Sequence, residues 1–167
     1  MRQKQTSETR PSSDDEDAAR EKSLRLLSLR PRSAAELRSR LRDAGFTENA
    51  IERVLSGLED AGIINDEEFA RLWIASREAA GGAGRRKLVW ELRRKGLPRD
   101  LIDRVLDEYL DEDAEQSYAL ALAQKRFRTD RPRAKEAARL RRLLLGRGFR
   151  LETVDSVLQT IMENKEI

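Results

Sequence analysis

Chemistry in this sequence must come from charged side chains and a few aromatics, because the chain of 167 residues contains no cysteine and no histidine. That removes thiol nucleophiles, imidazole bases, disulfides and Cys/His zinc sites together. Asp111, Glu112, Asp113 and Glu115 could attract a cation, but they lack the glycine turn and ligand spacing of a calcium loop. Acids in that pattern fit a solvated helix start, where the helix dipole favours them. The run Gly81-Gly82-Ala83-Gly84 lies between helical stretches rather than after a strand, and no GxxxxGK[ST] loop is present. A flexible connection is expected there rather than a nucleotide cradle.

Two groups suited to binding remain. Residues 125–150 hold eleven basic side chains against Asp130 and Glu136, although the whole chain carries a net charge of only +3. Segregation of this kind favours contact with a polyanion or an acidic protein face. Within the run, Lys135, Arg139 and Arg142 are spaced by four and three, which stacks them on one helix face. They are candidates for contact with phosphates or an acidic partner, and the plain alternative is a solvated face with screened charges. The second group is Arg86, Val89, Trp90, Arg93 and Arg94, whose Trp and Arg content is that of a protein-binding hot spot.

The elements that must position these residues show in a repeat. Gly45, Gly96 and Gly148 are 51 and 52 residues apart. Four residues before each glycine stands Leu41, Leu92 or Leu144, and eight before stands Leu37, Leu88 or Leu140. Phe46, Leu97 or Phe149 follows directly, then Ile51, Ile102 or Val154, then Val54-Leu55, Val105-Leu106 or Val157-Leu158. Each copy reads as a helix closed by a left-handed glycine, an apolar plug, and a second helix starting near Thr47, Pro98 or Leu151. Ser33 and Glu36 have the spacing of a capping box ahead of Leu37. A further helix precedes each pair, at about 18–29 with Leu24 and Leu27, about 66–79 with Phe69, Leu72 and Trp73, and about 113–127 with Tyr118 and Leu122.

The fold class is therefore all-α, with three tandem three-helix repeats expected to pack in series as an elongated or bowed array. The divisions expected are a disordered charged tail at 1–17, repeats at 18–63 and 64–110, and a third repeat with a basic face at 111–167. Comparison of the copies bears on the hot spot. Where this copy has Val89 and Trp90, the others have Arg38 and Ser39, or Arg141 and Arg142. Trp90 lies about 200° around the helix from Leu88 and from Leu92, so it points away from its own core. Packing of the ring against a neighbouring repeat is the alternative.

The segment SAAELRSRLRDAGFTENAIERVLSGLEDAGIINDEEFARLWIASR, residues 33–77, resembles the RecX regulatory proteins, above all in ELxxxL before Gly45 and in Gly62-Ile63-Ile64-Asn65-Asp66 leading to Phe69-Ala70-Arg71. The second copy, GAGRRKLVWELRRKGLPRDLIDRVL, is similar to the same family. The third departs from it, with a long basic RFRTDRPRAK segment and a turn that reads Leu145-Gly146-Arg147-Gly148. The resemblance implies a regulator that binds the RecA recombinase or its filament on DNA and restrains ATP hydrolysis and strand exchange, and it brings no catalytic residues. A binding protein without enzyme activity or cofactor follows as the expectation, monomeric and cytoplasmic, with weak non-specific DNA binding at most. The competing reading is a helix-turn-helix-like DNA-binding protein acting through its basic C-terminal repeat.

Overall fold

The repeated glycine marks a helix stop of one geometry in all three places. In the computed structural model, which describes residues 15–163, Gly45, Gly96 and Gly148 have φ of 91°, 82° and 83°. At the first of them Phe46 N–H donates to Leu41 O at 3.3 Å while Gly45 N–H donates to Arg42 O at 2.9 Å. Leu97 with Leu92 and Phe149 with Leu144 repeat the arrangement. These are Schellman closures, in which a left-handed residue lets the chain satisfy the last helical carbonyls and brings the following apolar residue back onto the helix. The leucine four before the glycine and the apolar residue just after it are the two ends of that contact.

The described residues form helices and no strand, and they gather into two compact units that divide between Asp66 and Glu67. The first unit contains α1 (Glu16–Leu29), α2 (Ala34–Asp43) and α3 (Glu48–Asp60). Ser33 and Glu36 make the expected capping box, Thr47 caps α3, and Asp66 accepts a further hydrogen bond from Ala34 N–H at 2.9 Å. Its core is Leu37, Leu41, Phe46, Ile51, Val54, Leu55 and Leu58 with Ala19 and Ile64. On α1 the buried positions are Ala19 and Ser23, whereas Leu24 is largely exposed. Ser23 can occupy the interior because its hydroxyl donates to Ala19 O at 2.8 Å, which removes the cost of an unpartnered polar group.

The second unit begins in α4 (Asp66–Ala79) and continues through α5 (Arg85–Arg94), α6 (Arg99–Tyr109), α7 (Glu112–Arg126), α8 (Arg133–Gly146) and α9 (Leu151–Glu163). Phe69, Ile74, Leu88, Leu92, Ile102, Val105 and Leu106 form one apolar cluster, and Leu122, Leu140, Leu144, Phe149, Val154, Val157 and Ile161 another. Leu72 stands half exposed on α4, outside the first cluster. Tyr118 packs against both clusters and donates its hydroxyl proton to Glu78 at 2.9 Å. Of the tail expected at 1–17, residues 1–14 lie outside the described residues, and Glu16 and Asp17 belong to α1. No helix among the described residues is long and apolar enough to cross a membrane.

Candidate interaction surfaces

The residues of α5 are held by an unusual helix start. Gly84 offers no side-chain cap, yet three N–H groups at the helix start are satisfied from elsewhere in the chain. Gly84 N–H donates to Arg147 O at 2.9 Å, Arg86 N–H to Gly148 O at 3.2 Å, and Arg85 N–H to Glu115 Oε1 at 3.0 Å. Arg147 in turn reaches Gly82 O with its guanidinium at 3.1 Å. The approach requires two bare backbones. A Cβ on Gly84 would stand 2.3 Å from Phe149 N, and one on Gly148 would stand 2.5 Å from Lys87 N.

Two sequence expectations are corrected here. The Gly81-Gly82-Ala83-Gly84 run is not a flexible connection, because Gly82, Ala83 and Gly84 are buried and Gly84 lies against the α8–α9 turn. Nor is the acidic run wholly solvated. Asp111 caps α7 through Ala114 N–H and stays exposed, but Glu115 is completely buried, where it receives Arg85 N–H and Arg150 Nε, the latter at 2.7 Å. A carboxylate beside the start of a neighbouring helix completes that helix's hydrogen bonding and faces its positive end.

With the start of α5 fixed, its outer face is a stripe. Arg86, Trp90, Arg93 and Arg94 follow the i, i+4, i+7, i+8 spacing of one helix face, and all four are exposed. Trp90 is 56% exposed, and the Arg94 guanidinium stands 4.7 Å from its ring centre, a cation–π contact that orients the ring. Among the described residues, Arg86, Arg93 and Arg94 form no ion pair, whereas neighbouring Arg85 pairs with Asp107 and Arg77 with Glu91. Val89 does not share this exposure. It is half-buried against the core, because it lies about 60° around the helix from Leu92 and about 100° from Trp90.

Trp73 shows the opposite arrangement. Its indole N–H donates to Glu91 at 2.8 Å, and Arg77 and Lys95 stand 4.4 and 4.7 Å from its ring centre, so its polar and aromatic capacity is met within the unit.

The basic face of α8 is only partly as expected. Lys135 and Arg142 are exposed, but Arg139 turns to Glu136, which is almost fully buried, and holds both of its oxygens with Nε at 2.9 Å and Nη2 at 2.5 Å. Glu136 also accepts Arg128 N–H at 2.9 Å, and Arg139 donates to Arg126 O. The signal for this pairing was the i, i+3 spacing of Glu136 and Arg139. The Arg139 hydrogen bonds hold the Glu136 carboxyl below the ordinary glutamate range. A carboxylate with a depressed pKa stabilises the fold above its unfolded value of about 4.3 and loses that contribution as pH falls through its folded value. Glu136→Gln should accordingly cost about 1–3 kcal/mol at neutral pH, with the difference from the parent closing below about pH 4. Urea titrations of both proteins across that range check it, and a difference independent of pH would reject the role of the charge.

Family models described as the first, second and third three-helix domains of RecX match residues 19–58, 65–106 and 113–158. The chain belongs to the RecX family. Regulatory protein RecX from Mycobacterium sp. (strain KMS) is 39% identical over 130 residues, covering 75% of this chain and 70% of the relative. That from Streptomyces coelicolor is 38% identical over 141 residues, covering 83% and 74%. A crystal structure of RecX from Lactobacillus salivarius superposes with a TM-score of 0.79 at 22% identity, over 89% of this chain and 97% of that one, and supports the fold. Within the RecX architecture, the Trp90 stripe lies in the second three-helix domain and the Glu136–Arg139 clip in the third. No group of metal-ligating side chains occurs among the described residues.

Proposed function

We propose that this protein binds the RecA recombinase, chiefly its filament on DNA, and restrains ATP hydrolysis and strand exchange, acting in the cytoplasm by contact rather than by catalysis. Membership of a family of regulatory proteins supports the reading. The observation that carries it to a surface is the exposed Trp90 with Arg86, Arg93 and Arg94 on one face of α5, the three guanidiniums forming no ion pair among the described residues. An exposed indole among guanidiniums without carboxylate partners gives apolar area and hydrogen-bond donors to a partner, the composition in which binding energy concentrates. Val89 contributes by seating the stripe on the core rather than by direct contact.

Trp90→Ala tests the reading. The melting temperature should change little, because the ring covers none of the buried cluster. A loss of about 2 kcal/mol or more in binding corresponds to a roughly 30-fold higher concentration for half-inhibition of RecA ATP hydrolysis. Unchanged inhibition by a folded variant would sink the assignment of this surface.

A further inference from the structure

The clip around Glu136 has an effect beyond stability. The basic segment between α7 and α8 would be free to move if only its sequence governed it, but Glu136 and Arg139 grip it at both Arg128 N–H and Arg126 O. The chain is thereby folded back at this corner, with Arg126 at the gripped end of α7, Arg131 in the connecting segment near Glu136, and Lys135 and Arg142 on one exposed face of α8. These four side chains are exposed and form no ion pair among the described residues, while Arg139 is committed to Glu136 and Arg128 lies 3.6 Å from Asp130. None of the exposed large apolar residues falls between 125 and 135. A protein partner is bound through an apolar or aromatic centre, and this corner lacks one.

We infer that the α7–α8 corner is a preorganised site for the phosphate backbone of nucleic acid, with Arg126, Arg131, Lys135 and Arg142 as its contacts and Glu136 with Arg139 as positioning residues. RecA is not required for this contact, and Arg126 and Arg131 take the place of Arg139 beside Lys135 and Arg142. Recognition would be of phosphates without base sequence, because the site offers cations and no consistent set of polar side chains aimed at base edges.

Fluorescence anisotropy of the full-length chain alone, without RecA, tests it with a labelled single strand of about 25 nucleotides, a duplex of the same length and a polyglutamate peptide, at salt between about 50 and about 200 mM. Arg131→Ala with Lys135→Ala should weaken DNA binding about tenfold at low salt and reduce the salt slope by about 1.4 on the single strand and about 1.8 on the duplex. The same charge removed as Arg25→Ala with Arg40→Ala, in the first unit, should have little effect. Glu136→Gln should also weaken binding, although it makes the chain more positive. Equal losses in the two double variants, tighter binding by a folded Glu136→Gln, or polyglutamate binding as strong as DNA binding would each overturn the inference, the last by making the corner an acidic-protein site. Should Glu136→Gln not fold, the two double variants still decide.

Discussion

Gly148→Ala is expected to lower the unfolding free energy by about 3–5 kcal/mol, far more than the same change at Gly45. Both glycines have strongly positive φ, so each alanine meets the left-handed penalty of about 1–2 kcal/mol. They differ in what a Cβ would touch. At Gly45 nothing lies within 4 Å, whereas at Gly148 the new carbon would stand 2.5 Å from Lys87 N and 2.4 Å from Lys87 Cβ. Backbone cannot swing aside as a flexible side chain does, so the α5 start and the α8–α9 turn must separate, straining the hydrogen bonds from Gly84 and Arg86. Gly84→Ala isolates the steric part. Its φ of −74° is open to alanine, yet its Cβ would lie 2.3 Å from Phe149 N, and a loss of about 2–4 kcal/mol is expected. Urea unfolding of the full chain measures all three. Equal losses at Gly45 and Gly148 would show that the close crossing is absent in solution.

Glu115→Ala should cost about 2–4 kcal/mol, because two donors lose their acceptor at once. Arg85 N–H would be left without its partner at a helix start, and the Arg150 guanidinium would lose its buried contact. The loss falls short of the ~3–5 kcal/mol of a fully buried broken pair, since Arg150 is one-third exposed and keeps Glu112 at 2.9 Å. Glu115→Gln retains an acceptor for Arg85 N–H and should lose roughly half as much. A double-mutant cycle with Arg150→Ala measures the coupling, for which about 1–2 kcal/mol is expected. A loss below about 1 kcal/mol in Glu115→Ala would contradict the structural role of the carboxylate.

What could be read in the sequence was whatever recurs with the helical period. Leu88, Leu92 and their counterparts, the three glycines and the apolar residue after each belong to a local motif closed within six residues, so their spacing is sufficient to find them. The orientation of Trp90 followed from the same geometry. Residues that act across the chain had no such signature. Gly84 and Glu115 have the composition of an ordinary loop and an ordinary helix start, and their partners lie 63 and 35 residues away at Arg147 and Arg150. Polar partnership also altered the simple apolar pattern, since Ser23 is buried on its own helix turn while Leu24 is not. Arg139 departs from its spacing for a related reason. Spacing assigns a side chain to a face, but a buried carboxylate three residues away decided where the guanidinium goes.

The external capping of α5 has a consequence during synthesis. Gly84, Arg85 and Arg86 are translated about 60 residues before the Arg147 and Gly148 carbonyls that receive two of their donors. At about 5–20 residues per second, the nascent helix spends roughly three to twelve seconds with those donors held only by water. Its leucines can collapse early onto α6, but the first turn stays frayed until the α8–α9 turn has emerged. The order in which the ribosome delivers the chain therefore sets when the base of the Trp90 helix becomes rigid, and the last third of the polypeptide completes a surface encoded in the middle.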